Sequence, residues 1–196
     1  MIETIKNCSL ENESVLVTLY KPEMAKKIEP IFYEEILVHL EIILDEKKSK
    51  FDAYIDFLNE IYTNHSKTYT FLCIDKKTGN VAGCTQLKYI DPINLKLEMG
   101  GTWYGKKYQG TGLNQASKLL LFDFCFNQLK IRRIQFSVDS DNISSKKSMT
   151  KIGATFEGHF RNNWIDQQGK SRDDDYYSII SEDWEEIKYS CFEKYL

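Results

Sequence analysis

The stretch Lys107-Tyr108-Gln109-Gly110-Thr111-Gly112-Leu113-Asn114 sets two glycines one residue apart, just ahead of a helix-forming run. Glycine tolerates positive φ, so the backbone can curl until successive N–H groups face one point. The positive end of the following helix would face the same point, which suits a phosphate-like anion. Gln109 adds a side-chain donor. A nucleotide P-loop is a competing reading, because Gly100-x-x-x-x-Gly105-Lys106 follows most of that pattern. Lys107, however, stands where magnesium coordination needs Ser or Thr. A helix starting there would also carry Gly110 and Gly112 in its first turns, each costing about 1 kcal/mol against Ala. The P-loop is therefore set aside. The local pattern alone leaves an anion cradle and a plain tight turn both open.

The elements around the turn decide what it can hold. Glu13–Tyr20 reads as a strand, and Pro22 as a helix start. From there to Asn64 apolar residues recur every three or four positions, which predicts helices over 28–44 and 51–64, the first ended or kinked by Pro30. The period then changes to two. Residues 68–75 and 81–90 form a hairpin around Lys76–Asn80, with Gly79 in the turn. Residues 93–104 make a third strand region in which Gly100-Gly101 marks a bulge or a close backbone approach. Leu113–Leu129 is helical, 132–138 is a strand, and 142–153 is a short helix ended by Gly153. Residues 157–166 and 174–181 pair as strands, and a last helix starts with Ser181 as its cap. The expectation is one α/β domain over 1–196, with a mixed, mostly antiparallel sheet of six or seven strands flanked by helices.

Composition narrows the function classes. A net charge of −3 argues against a nucleic-acid binder. No apolar run reaches the roughly 18 residues of a membrane span, and the first residues lack the apolar core of a signal peptide, so the expected location is cytoplasmic. The five cysteines are odd in number and form no C-x-x-C pair, which predicts free thiols. His39, His65 and His159 show no metal-ligand spacing.

With Glu98-Met99-Gly100-Gly101-Thr102-Trp103-Tyr104 before it, the glycine turn resembles the acetyl-CoA-binding segment of the GNAT N-acetyltransferases, whose pattern is Q/R-x-x-G-x-G/A. Gln109 and Gly112 match; Asn114 replaces the usual last Gly or Ala. Residues 137–162 are similar to the family's next strand and helix, with Asn142 beginning that helix, and residues 157–188 resemble the ribosomal-protein-alanine (RimJ/RimL-type) branch. The resemblance covers residues 69–188, with the N-terminal elements fitting by order only.

That resemblance implies acetyl transfer from acetyl-CoA to an amine by direct attack, with the coenzyme in the splay between the fourth and fifth strands and no metal. Its acceptor would be a protein or peptide N-terminal amine, or a small amine such as a polyamine, an amino acid or a drug. A non-catalytic acyl-CoA sensor is the alternative, and a homodimer is compatible with it. The backbone of Gln109, Gly110, Thr111, Gly112, Leu113 and Asn114 would meet the pyrophosphate, Asn142 the pantetheine arm, and an N–H near Trp103 or Tyr104 the thioester carbonyl. Glu98 is the candidate base, with an ion-pair role as the other reading. Many relatives carry a general-acid Tyr four residues before the helix-ending glycine, but here that position is Met149. Ser145, which would also touch the coenzyme, and Tyr176 or Tyr177 are the substitutes. Asp173-Asp174-Asp175 either attracts a cationic acceptor or forms an exposed acidic turn, and Trp164 is a candidate for lining the acceptor pocket.

Overall fold

Segments with alternating or continuous apolar residues become strands of one eight-stranded sheet. The computed structural model describes residues 1–40, 42, 45, 47–64 and 67–196. The strands are β1 (Ser9–Glu11), β2 (Val15–Leu19), β3 (Tyr69–Asp75), β4 (Asn80–Asp91), β5 (Lys96–Tyr104), β6 (Arg133–Asp139), β7 (Thr155–Ile165) and β8 (Ser171–Ile180). Their order is β1-β2-β3-β4-β5-β6-β8-β7. Every neighbouring pair is antiparallel except β5 and β6. Parallel neighbours need a crossover, and α3 (Leu113–Asp123) supplies it. The sheet has one strand more than the alternation predicts, since β1 is too short to show a period; the helix α1 (Ile2–Lys6) ahead of it was likewise not anticipated.

The helix expected over 28–44 is not what forms. The described part of 22–44 holds three short 3-10 turns, Pro22–Lys27, Glu29–Ile31 and Glu34–His39. Pro30 removes an N–H and disfavours helical backbone before it, and Phe32 and Tyr33 leave the turn in extended conformation (ψ of 142° at each). Glu41, Ile43 and Leu44 of that run, and His65, lie outside the described residues. The second expected helix is α2 (Lys50–Asn64). At the other end, α5 (Trp184–Phe192) starts from Asp183; the Ser181 hydroxyl turns to Glu182 and caps nothing.

The sheet is packed on both faces. On one, Phe122 of α3 meets Phe136 of β6, Trp184 and Phe192 at ring-centroid distances of 6.1, 5.6 and 6.0 Å. On the other, Trp103 of β5 packs against Phe32 at 6.3 Å and Tyr54 of α2 at 5.9 Å. The decisive irregularity lies in β5. Cys84 pairs with Trp103 but Gln86 pairs with Gly100, so Thr85 alone faces both Gly101 and Thr102. This is a bulge, as the Gly100-Gly101 pair predicts. Gly101 takes φ +56°, and a Cβ there would sit 2.6 Å from the Gln86 side-chain oxygen. The bulged strand then leaves its other neighbour. Pairing between β5 and β6 stops after Lys96–Arg133, Leu97–Ile134 and Glu98–Gln135.

Just below that parting, Lys118 of α3 is buried, and among the described residues its ammonium meets Met99 Sδ at 3.8 Å and the Phe122 and Phe136 rings. Burial pushes its pKa down from 10.5 to about 8. The charged form therefore costs stability in full below pH 8, and the cost fades as pH rises from there to 10.5, where the unfolded chain also loses its proton. Lys118→Met is expected to stabilise the fold at pH 7 by about 3 kcal/mol, from about 1.4 kcal/mol per pKa unit. Its advantage over the wild type should vanish by pH 10.5, as read by urea denaturation across that range. An advantage that does not change with pH would show the ammonium to be unstrained.

Candidate active site

Gly110 and Gly112 take φ of +74° and +93°, and Gly112 is the left-handed cap of α3, with no side chain capping it. Among the described residues, no partner accepts from the main-chain N–H groups of Gly110, Thr111, Gly112, Leu113 or Asn114. Five adjacent orphan donors at a helix N-terminus have the geometry an anion cradle needs, the first of the two readings left open by the turn. One detail changes. The Gln109 amide is not a free donor: its Nε2 donates to the Tyr33 hydroxyl (2.8 Å) and to the Tyr104 carbonyl (3.1 Å). It ties the turn to β5 and to the Tyr33 segment. Lys106 lies against Glu35 at 3.3 Å and over the Tyr33 ring.

Where β5 and β6 separate, residues 99–104 have no sheet partner on the β6 side among the described residues. The parting falls between the fifth and sixth strands in chain order, because the short β1 precedes the strands that the sequence reveals. The Trp103 and Tyr104 side chains are structural. The indole N–H of Trp103 donates to the Tyr54 hydroxyl (2.8 Å), and the Tyr104 hydroxyl to Ser117 Oγ (2.9 Å). Only their main chain is left for chemistry.

A cleft opens on the face opposite α3 and straddles the parting, walled by Gly100 and Gly101 of β5 and by Ser137 and Asp139 of β6. Tyr54, Phe57 and Trp164 supply its aromatic surface. Three carboxylates line it, and they differ in their partners. Glu98 accepts from Lys88 Nζ (3.0 Å) and from Gln135 Nε2 (3.3 Å), so both its oxygens are engaged, which is the ion-pair reading of this residue. Asp139 is gripped by Arg172 and approached by His39 Nδ1 at 2.8 Å. Burial acts to raise its pKa, but the hydrogen bonds from His39 and Arg172 outweigh burial and hold it below the usual carboxylate value. Asp174 is buried and accepts only from neutral donors: Ser137 Oγ (2.6 Å), Asn163 Nδ2 (2.8 Å) and Trp164 Nε1 (3.1 Å). Among the described residues it has no cation, so the cleft keeps a negative charge. The exposed acidic turn that 173–175 offered is thus overturned, since Asp174 and Asp175 are buried strand residues of β8.

The helix face of the parting carries the other candidates. Asn142 caps α4 (Ile143–Lys151): its Oδ1 accepts from the Ser145 N–H at 3.0 Å, while its Nδ2 has no partner among the described residues. Met149 is buried in α4. Tyr177 pairs with Phe136 across β8 and β6 and packs on Phe156 at 5.4 Å. Burial, then the nearby Asp175 charge, raises its pKa, and Lys146 opposes them. Glu98 and Tyr177 therefore stand on opposite faces of the sheet. The sequence reading missed His39, Arg172, Lys88 and Lys118. His39 and Asp139 lie 100 positions apart, and no local pattern joins them.

Residues 28–155 match the family described as "Acetyltransferase (GNAT) domain". The "Putative ribosomal N-acetyltransferase YdaF" of Bacillus subtilis is 25% identical over 179 residues, 89% of this chain and 95% of that protein. A GCN5-related N-acetyltransferase structure from Brucella melitensis superposes with a TM-score of 0.85 at 21% identity, covering 96% of this chain and 86% of that one. The ribosomal-protein-S5-alanine acetyltransferase of Vibrio fischeri gives 0.68 at 21%, covering 91% and 99%. With the family match spanning residues 28–155, and the glycine turn and parted strands in keeping with it, the chain belongs to the GNAT acetyltransferases.

Proposed function

We propose that this acyltransferase moves acetyl from acetyl-CoA to the free α-amine of a protein or peptide N-terminus. The observation that carries the reading is the cleft across the β5–β6 parting, with Asp174 on its wall lacking a cation among the described residues. An acceptor amine enters as an ammonium, and a buried carboxylate held only by neutral donors favours it there. A peptide acceptor, rather than a small amine, is supported by the ribosomal N-acetyltransferase name of the relative that shares most of this chain's length.

In this reading the pyrophosphate rests on the N–H groups of Gln109, Gly110, Thr111, Gly112, Leu113 and Asn114, although the Gln109 N–H already points toward the Lys106 carbonyl. Asn142 uses its unpartnered Nδ2 on the pantetheine arm. The thioester lies in the parting, where a main-chain N–H near Trp103 or Tyr104 polarises its carbonyl; one such donor is worth roughly 3 kcal/mol in the transition state. The amine attacks from the cleft side. The thiolate leaves on the helix face, where Ser145 and Tyr177 are the candidate proton donors; a raised pKa keeps Tyr177 protonated at neutral pH. Glu98, fixed by Lys88 and Gln135, shapes the cleft beside the reacting nitrogen.

Acetyl-CoA at about 100 times its dissociation constant should add roughly 2.7 kcal/mol and raise the melting temperature by roughly 5–10 °C, with magnesium-ATP adding nothing. Absence of any rise at saturation sinks the coenzyme assignment. Gly110 has open space for a methyl group but a φ of +74°, so Gly110→Ala should weaken acetyl-CoA binding about tenfold by calorimetry, the strain being about 1–2 kcal/mol. A panel of peptides with free N-termini, and spermine beside them, read by thiol release, tests the acceptor. Asp174→Asn should raise KM for the accepted amine roughly 10- to 100-fold, matching about 1.5–3 kcal/mol for a charged hydrogen bond, with acetyl-CoA binding unchanged. Faster turnover of spermine than of every peptide would make the small-amine reading the correct one.

A further inference from the structure

The His39–Asp139–Arg172 cluster has no part in the roles assigned so far. His39 ends the third 3-10 turn and lines the cleft, with its side chain about a third exposed (35%). Its Nδ1 lies 2.8 Å from Asp139 Oδ2, while its Nε2 has no partner among the described residues. Asp139 is the end residue of β6 and its side chain is 2% exposed. One of its oxygens accepts from the Asp141 N–H (3.0 Å), and the other from Arg172, itself buried on β8. Arg172 also lies 3.3 Å from Asp141. The carboxylate is therefore fixed from two sides, by the Asp141 N–H and by Arg172, before it meets the imidazole.

An ionised carboxylate can only accept, so the shared hydrogen sits on Nδ1, which leaves the lone pair on Nε2 in the neutral imidazole. This is the tautomer of a general base, held by the carboxylate behind it. The alternative base in the same cleft, Glu98, has both oxygens taken by Lys88 and Gln135.

We propose that His39 is the general base that deprotonates the acceptor amine, with Asp139 as its positioning residue and Arg172 holding Asp139. Resting on the acetyl-transfer reading above, the step is as follows. Nε2 takes one proton from the acceptor ammonium, and the freed nitrogen pair forms a C–N bond at the thioester carbon. The tetrahedral adduct then collapses, breaking the C–S bond. The coenzyme leaves as a thiolate and is protonated on the helix face through Ser145 or Tyr177, while the second nitrogen-borne proton passes to water, which makes good the donor's proton. The imidazolium returns its proton to water through the open cleft. No electrons are exchanged with any other reagent.

The same geometry would also serve to tie the segment around residue 39 to the sheet, so the test must separate base from tether. His39→Asn keeps a side-chain N–H able to reach Asp139 but has no nitrogen that accepts a proton. Two acceptor probes are used, a heptapeptide with N-terminal alanine and spermine. With whichever probe the wild type acetylates, His39→Asn should lose on the order of 100- to 1,000-fold in kcat, with little change in KM. Its melting-temperature rise with acetyl-CoA should match the wild type, and added imidazole should restore part of the activity of His39→Ala. A readout that needs no acceptor is the ¹⁵N spectrum of the His39 ring, in a background with His65 and His159 replaced by Gln; it should show the Nδ1–H tautomer at neutral pH. His39→Asn within twofold of wild-type kcat, or an Nε2–H tautomer, overturns the base assignment and leaves the acetyl-transfer reading standing. Wild-type protein that binds acetyl-CoA and acetylates neither probe overturns the activity on which the assignment rests.

Discussion

Three residue pairs hold β5 to β6, and everything functional in this chain depends on the pairing stopping there. A continuous sheet would satisfy every strand donor and close the passage between its two faces. The bulge at Gly101 and Thr102 prevents this, since the strand that gains a residue bends and its twist increases. Gly101 makes the bulge possible, because its φ is positive and the Gln86 side chain fills the space a Cβ would need. β6 meanwhile remains paired with β8 along its whole length, so the two strands part without β6 losing its place.

The parting also divides the chemistry. The glycine turn and the α4 cap lie on the helix face and offer N–H groups unpaired among the described residues, suited to an anionic coenzyme. The opposite face offers a cleft of aromatic rings and carboxylates, suited to a cation. Reactants of opposite charge are thus drawn to opposite sides of one opening. This agrees with an attack in which the nucleophile approaches from one side and the leaving group departs on the other. It also makes sense of candidate residues such as Glu98 and Tyr177 that do not touch each other.

The strands β2 to β8, the hairpin at Gly79 and the helix after Gly112 were legible because each rests on a local signal: a period, a turn residue or a cap. The turn at Gly110 and Gly112 was legible as chemistry only through its neighbours. The 22–44 region was misread because its apolar spacing is helical, while Pro30 and the extended Phe32 and Tyr33 divide it into 3-10 turns. Gln109 looked like a ligand donor, but Tyr33, 76 positions away, uses its amide. The acceptor side was least legible. Asp174 reads as one of three exposed acids until the strand pairing buries it beside Ser137 and Trp164. His39 and Asp139 meet only when the sheet brings together segments distant in the chain.

The central claim is that coenzyme and acceptor meet through the β5–β6 parting from its two faces. Amide NMR of ¹⁵N-labelled protein titrated with acetyl-CoA tests it most directly. The account predicts that the largest shifts and the slowest hydrogen exchange will appear at residues 110–114 and 100–104, with the cleft residues on β8 little changed until an amine is added. Shifts confined to the cleft face, or none at the glycine turn at saturation, would contradict it.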